Sequence, residues 1–217
     1  MENYYPLFIN LRGKKCVVIG GGEAAADRIS ELLQCRATVA VVSPRAVSRI
    51  SAWAGLGWIT WLKERYHEHH LEGAFLVICT VRQAELNQQV YRDCHTRNIL
   101  LNATGAPEAG CFIFPTVVSR GPLTIAISTE GKCPAFAHQL KRDLEEQFTE
   151  THGAFLSYLG GLRDYIWEEL PDETRRSALM EELASPEFFK LYRNLPLEAL
   201  ESRIAAMIAR IKKDTGA

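Results

Sequence analysis

No stretch of this chain approaches the roughly 18 consecutive apolar residues that a bilayer-spanning helix requires, so no membrane partner is expected. Charge of neither sign is in excess: 25 Lys and Arg face 26 Asp and Glu, a formal net charge of −1. That balance gives no electrostatic case for a nucleic-acid partner. The N-terminal Met1-Glu2-Asn3-Tyr4-Tyr5-Pro6 lacks a basic n-region, and no signal peptide is expected. The six cysteines, at 16, 35, 79, 94, 111 and 133, form no C-x-x-C pair. Several sit in apolar runs, as small buried residues do; reduced thiols in a cytoplasmic protein are expected rather than disulfides. At 217 residues, the chain is long enough for one full core plus a smaller second unit.

What is present is concentrated near the start. The apolar run Cys16-Val17-Val18-Ile19 stops at Gly20-Gly21-Gly22, and the helix-forming Glu23-Ala24-Ala25-Ala26 follows at once. Gly20-x-Gly22-x-x-Ala25 is the Ala-ended form of the dinucleotide-binding fingerprint. Gly20 lets the chain turn sharply off the strand. Gly22, lacking a Cβ, lets a pyrophosphate approach the backbone, and Ala25 lets the helix pack close to the sheet. The free N–H groups of Gly21, Gly22, Glu23 and Ala24, with the helix dipole, then face the anion. A helix over 22–35, with Ile29, Leu32 and Leu33 on one face, leads to a second buried strand, 37–42. That strand ends in Ser43-Pro44-Arg45, with no carboxylate for a ribose 2′-hydroxyl. Ser43 can bond the ribose. Arg45 is read as a solvated residue opening the next helix; pairing with a 2′-phosphate would instead favour NADP.

The α/β rhythm continues through helix 46–54, strand 58–62, strand 73–80 ending at Thr80, helix 85–97 with Asn87 near its start, and strand 99–102 ending at Asn102. Ligands in such sheets lie beyond the carboxyl ends of the strands, which brings Thr80 and Asn102 to the cofactor. The rhythm then breaks. Runs 111–119 and 123–128 read as a short antiparallel pair, and Pro134 suits the first turn of a helix over 134–150. The remainder is helical, with Leu156, Leu159, Leu162 and Ile166 on one stripe and Leu197, Leu200, Ile204, Met207, Ile208 and Ile211 on another. The expected fold is α/β. A Rossmann-like parallel sheet (1–110) precedes a small α+β dimerisation region (111–150) and a helical C-terminal domain (151–217).

From about Pro6 to Leu144 the chain resembles the precorrin-2 dehydrogenase family, the sirohydrochlorin-forming module of siroheme synthases. The likeness rests on Pro6-Leu7-Phe8, Leu11-Arg12-Gly13-Lys14, Val18-Ile19-Gly20-Gly21-Gly22, and Thr80 followed by Leu86-Asn87. It continues through Asn102, Pro107, Phe112-Ile113-Phe114-Pro115, Ile127-Ser128-Thr129 and Gly131-x-x-Pro134. The resemblance implies a homodimer that oxidises precorrin-2 with NAD, with ferrous iron insertion as a second activity of some members.

The departures are as pointed. Gly105 stands where the family carries its leading acid/base Asp, Val81-Arg82 replaces an acidic pair after Thr80, Asp27-Arg28 replaces Arg-Lys, and Cys133 replaces a Ser. Glycine cannot move a proton. Three readings follow: dehydrogenation survives while chelation is lost, a carboxylate such as Glu130 or Glu108 substitutes, or catalysis is lost and binding retained. The first is adopted, with Glu130 kept as the catalytic alternative. The corresponding rival functions are a weakened tetrapyrrole carrier and a nucleotide-sensing interaction module. A polyanionic tetrapyrrole needs cations, and Arg120, Lys132, His138, Lys141 and Arg142, with Thr129, are the expected contacts. His67-Glu68-His69-His70 is read as a solvated loop or first helical turn, its adjacent side chains pointing apart, and no metal site is expected.

Overall fold

The computed structural model describes residues 4–104 and 110–213. The chain divides into two compact units, Met1–Phe114 and Pro115–Ala217.

In the first unit the apolar runs form five parallel strands: β1 (Lys15–Ile19), β2 (Thr38–Val42), β3 (Thr60–Leu62), β4 (Leu76–Cys79) and β5 (Leu100–Ala103). Their order in the sheet is β3-β2-β1-β4-β5. Helices α1 (Glu23–Gln34), α2 (Ser48–Gly55) and α3 (Ala84–Thr96) alternate with them. Side chains of β1 enter opposite faces in turn. Cys16 and Val18 join a core with Ala25, Ile29 and Ile50, while Val17 and Ile19 join another with Tyr66, Val90 and Cys94. Both faces are covered, which is why β1 and β4 read as unbroken apolar runs. The chain winds from β1 to β2 and β3 on one side, then returns to β4 on the other. The carboxyl ends of β1 and β4 therefore mark the topological switch point, where such sheets hold ligands.

The second unit begins with an antiparallel ribbon, β6 (Thr116–Arg120) and β7 (Leu123–Ile127). Helices α4 (Pro134–Gln147), α5 (Glu150–Glu169), α6 (Glu173–Leu183), α7 (Pro186–Asn194) and α8 (Leu197–Lys213) follow. Leu159, Ile166, Leu179, Leu183, Leu200 and Ile204 form its main core. Local chemistry sets the boundaries: Asp172 accepts from the Arg175 N–H at 2.9 Å, and Ser185 from the Phe188 N–H at 3.2 Å.

Three expectations change. The helix expected over 134–150 ends at Gln147, because Thr149 forms a capping box with His152 and starts α5. The strand expected from Cys111 starts only at Thr116; the Cys111 N–H instead donates to Leu101 O at 2.9 Å, and Phe112 and Phe114 pack on the sheet core. Leu156 and Leu197 leave their stripes, 40% and 53% exposed, and Phe155 takes the core position beside Leu159.

Candidate functional site

A cleft of about 740 Å³ opens at the carboxyl ends of β1, β2 and β4, lined by Ile19, Gly20, Val42, Ser43, Pro44, Arg65, Tyr66, Val81, Arg82, Gln83, Glu85, Leu86 and Gln89. Gly20 lines it, Gly21 and Gly22 continue the turn from there into α1, and the three glycines have separate tasks. Gly20 has φ +120°, and a Cβ there would sit 2.3 Å from Thr80 Oγ1. A Cβ on Gly21 would sit 2.0 Å from the Arg45 carbonyl. Gly22 caps α1 without a side-chain hydrogen bond, and a Cβ there would meet nothing within 4 Å. Open space and an uncapped helix start therefore coincide at Gly22, which fits a dinucleotide pyrophosphate. Ala25 is fully buried against the sheet, as its small size permits, while Glu23 and Ala24 are exposed. Glu23 lies 3.3 Å from Arg49, which partly offsets a carboxylate beside the anion site.

The remaining cofactor residues differ in how they reach the cleft. Ser43 lines it, its hydroxyl donating to Arg45 O at 2.6 Å, so only its oxygen lone pairs face a ligand. Thr80 Oγ1 donates to Ile19 O at 3.1 Å and ties β4 to β1 below the cleft. Asn87 is fully buried and does not line the cleft; its Nδ2 donates to Val81 O and Gln83 O, each at 3.0 Å, and clamps the turn that carries Arg82. Asn102 Nδ2 donates to Phe112 O at 2.9 Å and pins the returning segment to β5. No sequence motif announces Arg65, Tyr66, Val81, Arg82, Gln83 or Glu85, which the structure brings to the cleft. Their signal was positional: they follow the ends of β3 and β4. Tyr66 donates to Asp93 at 2.8 Å, and burial, with that bond, pushes its phenol pKa up, so the ring stays neutral.

The expected substrate residues lie in the second unit. Arg120 is mostly buried and donates to the carbonyls of Phe148 and Ser119 at 3.0 and 2.9 Å, with Glu150 at 3.5 Å. Glu130 is exposed at φ 52°, and Lys132 donates to it at 3.0 Å. Thr129 is half-buried and His138 exposed. Lys141 faces Glu145 at 3.9 Å, and Arg142 donates to Gln139. Gly105, Pro107 and Glu108 lie outside the described residues.

The histidine cluster forms a short helical turn with His67, Glu68 and His69 exposed, as expected, but His70 is not solvated. Glu68–Leu71 forms a 3-10 turn in which His70 is 4% exposed. The His69 and His70 rings approach to 4.2 Å rather than pointing apart. Single ligand atoms of Glu64, His69 and His70 lie within 4.8 Å of one another. However, His70 Nδ1 accepts from the His67 N–H at 3.0 Å, which leaves the ring proton on Nε2, facing Glu64 Oε1 at 3.1 Å. The hydrogen bond to His70 holds the Glu64 carboxyl below its ordinary range.

The switch-point cleft, glycine turn and open helix start define a Rossmann protein that binds a dinucleotide. Residues 7–116 match the family model described as "Putative NAD(P)-binding", and residues 120–147 match "Sirohaem biosynthesis protein central". Siroheme synthase of Neisseria meningitidis serogroup C is 31% identical over 206 residues, 95% of this chain and 43% of that protein. Siroheme synthase 1 of Pectobacterium atrosepticum is 33% identical over 202 residues, 93% of this chain and 42% of that protein. The chain thus spans less than half the length of the curated relatives it matches. Among solved structures, SirC, precorrin-2 dehydrogenase, superposes with a TM-score of 0.77 at 25% identity, covering 95% of this chain and 100% of its own. The chain belongs to the precorrin-2 dehydrogenase family of siroheme-biosynthesis proteins, and its cofactor class is NAD(P). No helix among the described residues is long and apolar enough to cross a membrane.

Proposed function

We propose that the chain oxidises precorrin-2 to sirohydrochlorin with NAD, as a cytoplasmic homodimer. The observation that carries this reading is the full-length likeness to a precorrin-2 dehydrogenase, together with an open dinucleotide cleft at the switch point. When bound, NAD would supply the hydride acceptor for oxidation of the tetrapyrrole, with one proton released for each hydride taken. The chain's own contribution is alignment. Gly21, Gly22, Glu23, Ala24 and Ala25 receive the pyrophosphate at the start of α1. Ser43 and Pro44 bound the ribose end, and Gly20 and Thr80 set the floor. Asn87 and Asn102 act as positioning residues through the segments they clamp. In the second unit Thr129, Lys132, His138, Lys141 and Arg142 are proposed to meet substrate carboxylates, with Arg120 tying β6, through its bond to Phe148 O, to the end of α4, the helix that carries the last three. Glu130, which accepts from Lys132 at 3.0 Å, is the acid/base candidate only in the alternative reading where a carboxylate substitutes for Gly105. Dimerisation is supported by the two-stranded ribbon, whose outer positions include Val117 at 40% exposure, and by Phe136 at 55%.

Because Gly105 has no side chain, iron insertion lacks the positioned base it needs, worth about 10²–10⁴-fold. The test compares wild type with a folded Gly105→Asp variant, in both oxidation and iron insertion. Wild type oxidises precorrin-2 but adds little to spontaneous insertion, and the variant gains insertion more than oxidation. A wild type inactive in oxidation, with a variant that gains it, would overturn the reading.

A further inference from the structure

Arg28, Arg49 and Arg97 each face a carboxylate in the first unit, at 2.7, 2.8 and 2.9 Å. Arg65 and Arg82, which line the cleft, face none among the described residues. Arg65 is exposed in the loop after β3, and that loop is held beside the end of β2 by the bond from the Ser43 N–H to Leu62 O at 3.1 Å. The end of β2 is where the ribose 2′ position lies in this fold. A site selective for NAD places a carboxylate there, which bonds the diol and repels a 2′-phosphate. Here Ser43-Pro44-Arg45 carries none, and the Ser43 hydroxyl proton is already given to Arg45 O. Glu85, the one carboxylate among the described lining residues, lies on α3 after β4 rather than at the β2 end. Arg45, the nearest cation in sequence, does not line the cleft; its carbonyl packs on Gly21.

We infer that this cleft takes the 2′-phosphorylated dinucleotide at least as tightly as NAD, with Arg65 as the cation that pairs with the 2′-phosphate. The inference rests on the reading of the cleft as the cofactor site. A guanidinium offers the phosphate a two-pronged, charge-assisted contact that a ribose hydroxyl does not use. Selectivity is therefore set from the β3 loop, not from the residue that follows β2.

The test is calorimetric titration of the full chain with NAD+ and with NADP+, without tetrapyrrole, for wild type, Arg65→Ala, Arg65→Lys and Arg82→Ala. Arg65 is exposed and unpaired among the described residues, so folding of the variants is checked by circular dichroism with no loss expected. Wild type binds NADP+ as tightly as NAD+ or tighter. Arg65→Ala weakens NADP+ by about tenfold or more and NAD+ by less than about threefold; Arg65→Lys retains part of the difference. Arg82→Ala shifts both dinucleotides together. A wild type that prefers NAD+, or an Arg65→Ala variant that weakens both equally, overturns the inference and leaves the cofactor reading standing. Binding of neither dinucleotide overturns both.

Discussion

Gly22 combines two properties that a pyrophosphate needs: nothing occupies the space a Cβ would take, and no side chain caps the helix behind it. Gly22→Asp fills that space with bulk and negative charge. It is expected to raise the Kd for NAD+ by more than about tenfold without unfolding the protein. Unchanged affinity by calorimetry would remove the site. Gly20 and Gly22 were assigned from the motif alone; the role of Gly21 was not legible, because the Arg45 carbonyl it accommodates arrives from another loop. The thiols give a second residue-scale test. Cys16, Cys79 and Cys94 are buried, whereas Cys35, Cys111 and Cys133 are exposed. Desolvation pushes Cys16 and Cys79 up to about 11 and Cys94 up to about 12, from an ordinary 9.0. Between those values the folded state holds protons that the unfolded chain has released. The thiol contribution to stability is therefore fully present below about pH 9 and lost as pH rises toward about 11 and 12. A thiol reagent at neutral pH should modify the three exposed cysteines in native protein, and all six only after unfolding. Urea midpoints should fall above about pH 9. Rapid native labelling of Cys16 or Cys79 would contradict the packing.

Helix α5 carries three glycines, and the structure separates them. A Cβ on Gly153 would lie 2.2 Å from Arg120 O in the β6–β7 turn, whereas on Gly160 or Gly161 it would meet nothing within 4 Å. Gly153→Ala should therefore destabilise by about 1–3 kcal/mol through overpacking. Gly161→Ala should stabilise by about 0.5–1 kcal/mol through helix propensity. Urea unfolding measures both, and equal effects at the two positions would contradict this packing of α5 on the ribbon. The parallel strands were legible because both faces are buried, which leaves continuous runs such as Leu76–Cys79. Boundaries set by tertiary contacts were not. Cys111-Phe112-Ile113-Phe114 has strand composition, yet Asn102 and the sheet core recruit it into a return segment. The break between α4 and α5 depends on a Thr149–His152 box that an otherwise continuous helical pattern concealed. In the cleft, residues on the β1 and β2 ends were found by motif. Arg65 and Tyr66 were not, since the short β3 gives no periodicity to announce the loop beyond it.

For the whole molecule, two compact units divide the chemistry: the first holds the dinucleotide cleft, and the second the cations proposed for a polyanionic substrate. A two-stranded ribbon is marginal alone, and its exposed Val117 and the nearby apolar Phe136 are expected to be covered by a second copy. Sedimentation should give a dimer at micromolar concentration; a clean monomer would remove that part of the account. The central claim is hydride transfer from precorrin-2. It is tested most directly by anaerobic incubation of the protein with precorrin-2 and NAD+, following sirohydrochlorin and NADH together by absorption. The account predicts that both appear in equal amounts, only when protein and dinucleotide are present, and that Gly22→Asp abolishes both. Tetrapyrrole binding with no NADH formed would contradict it.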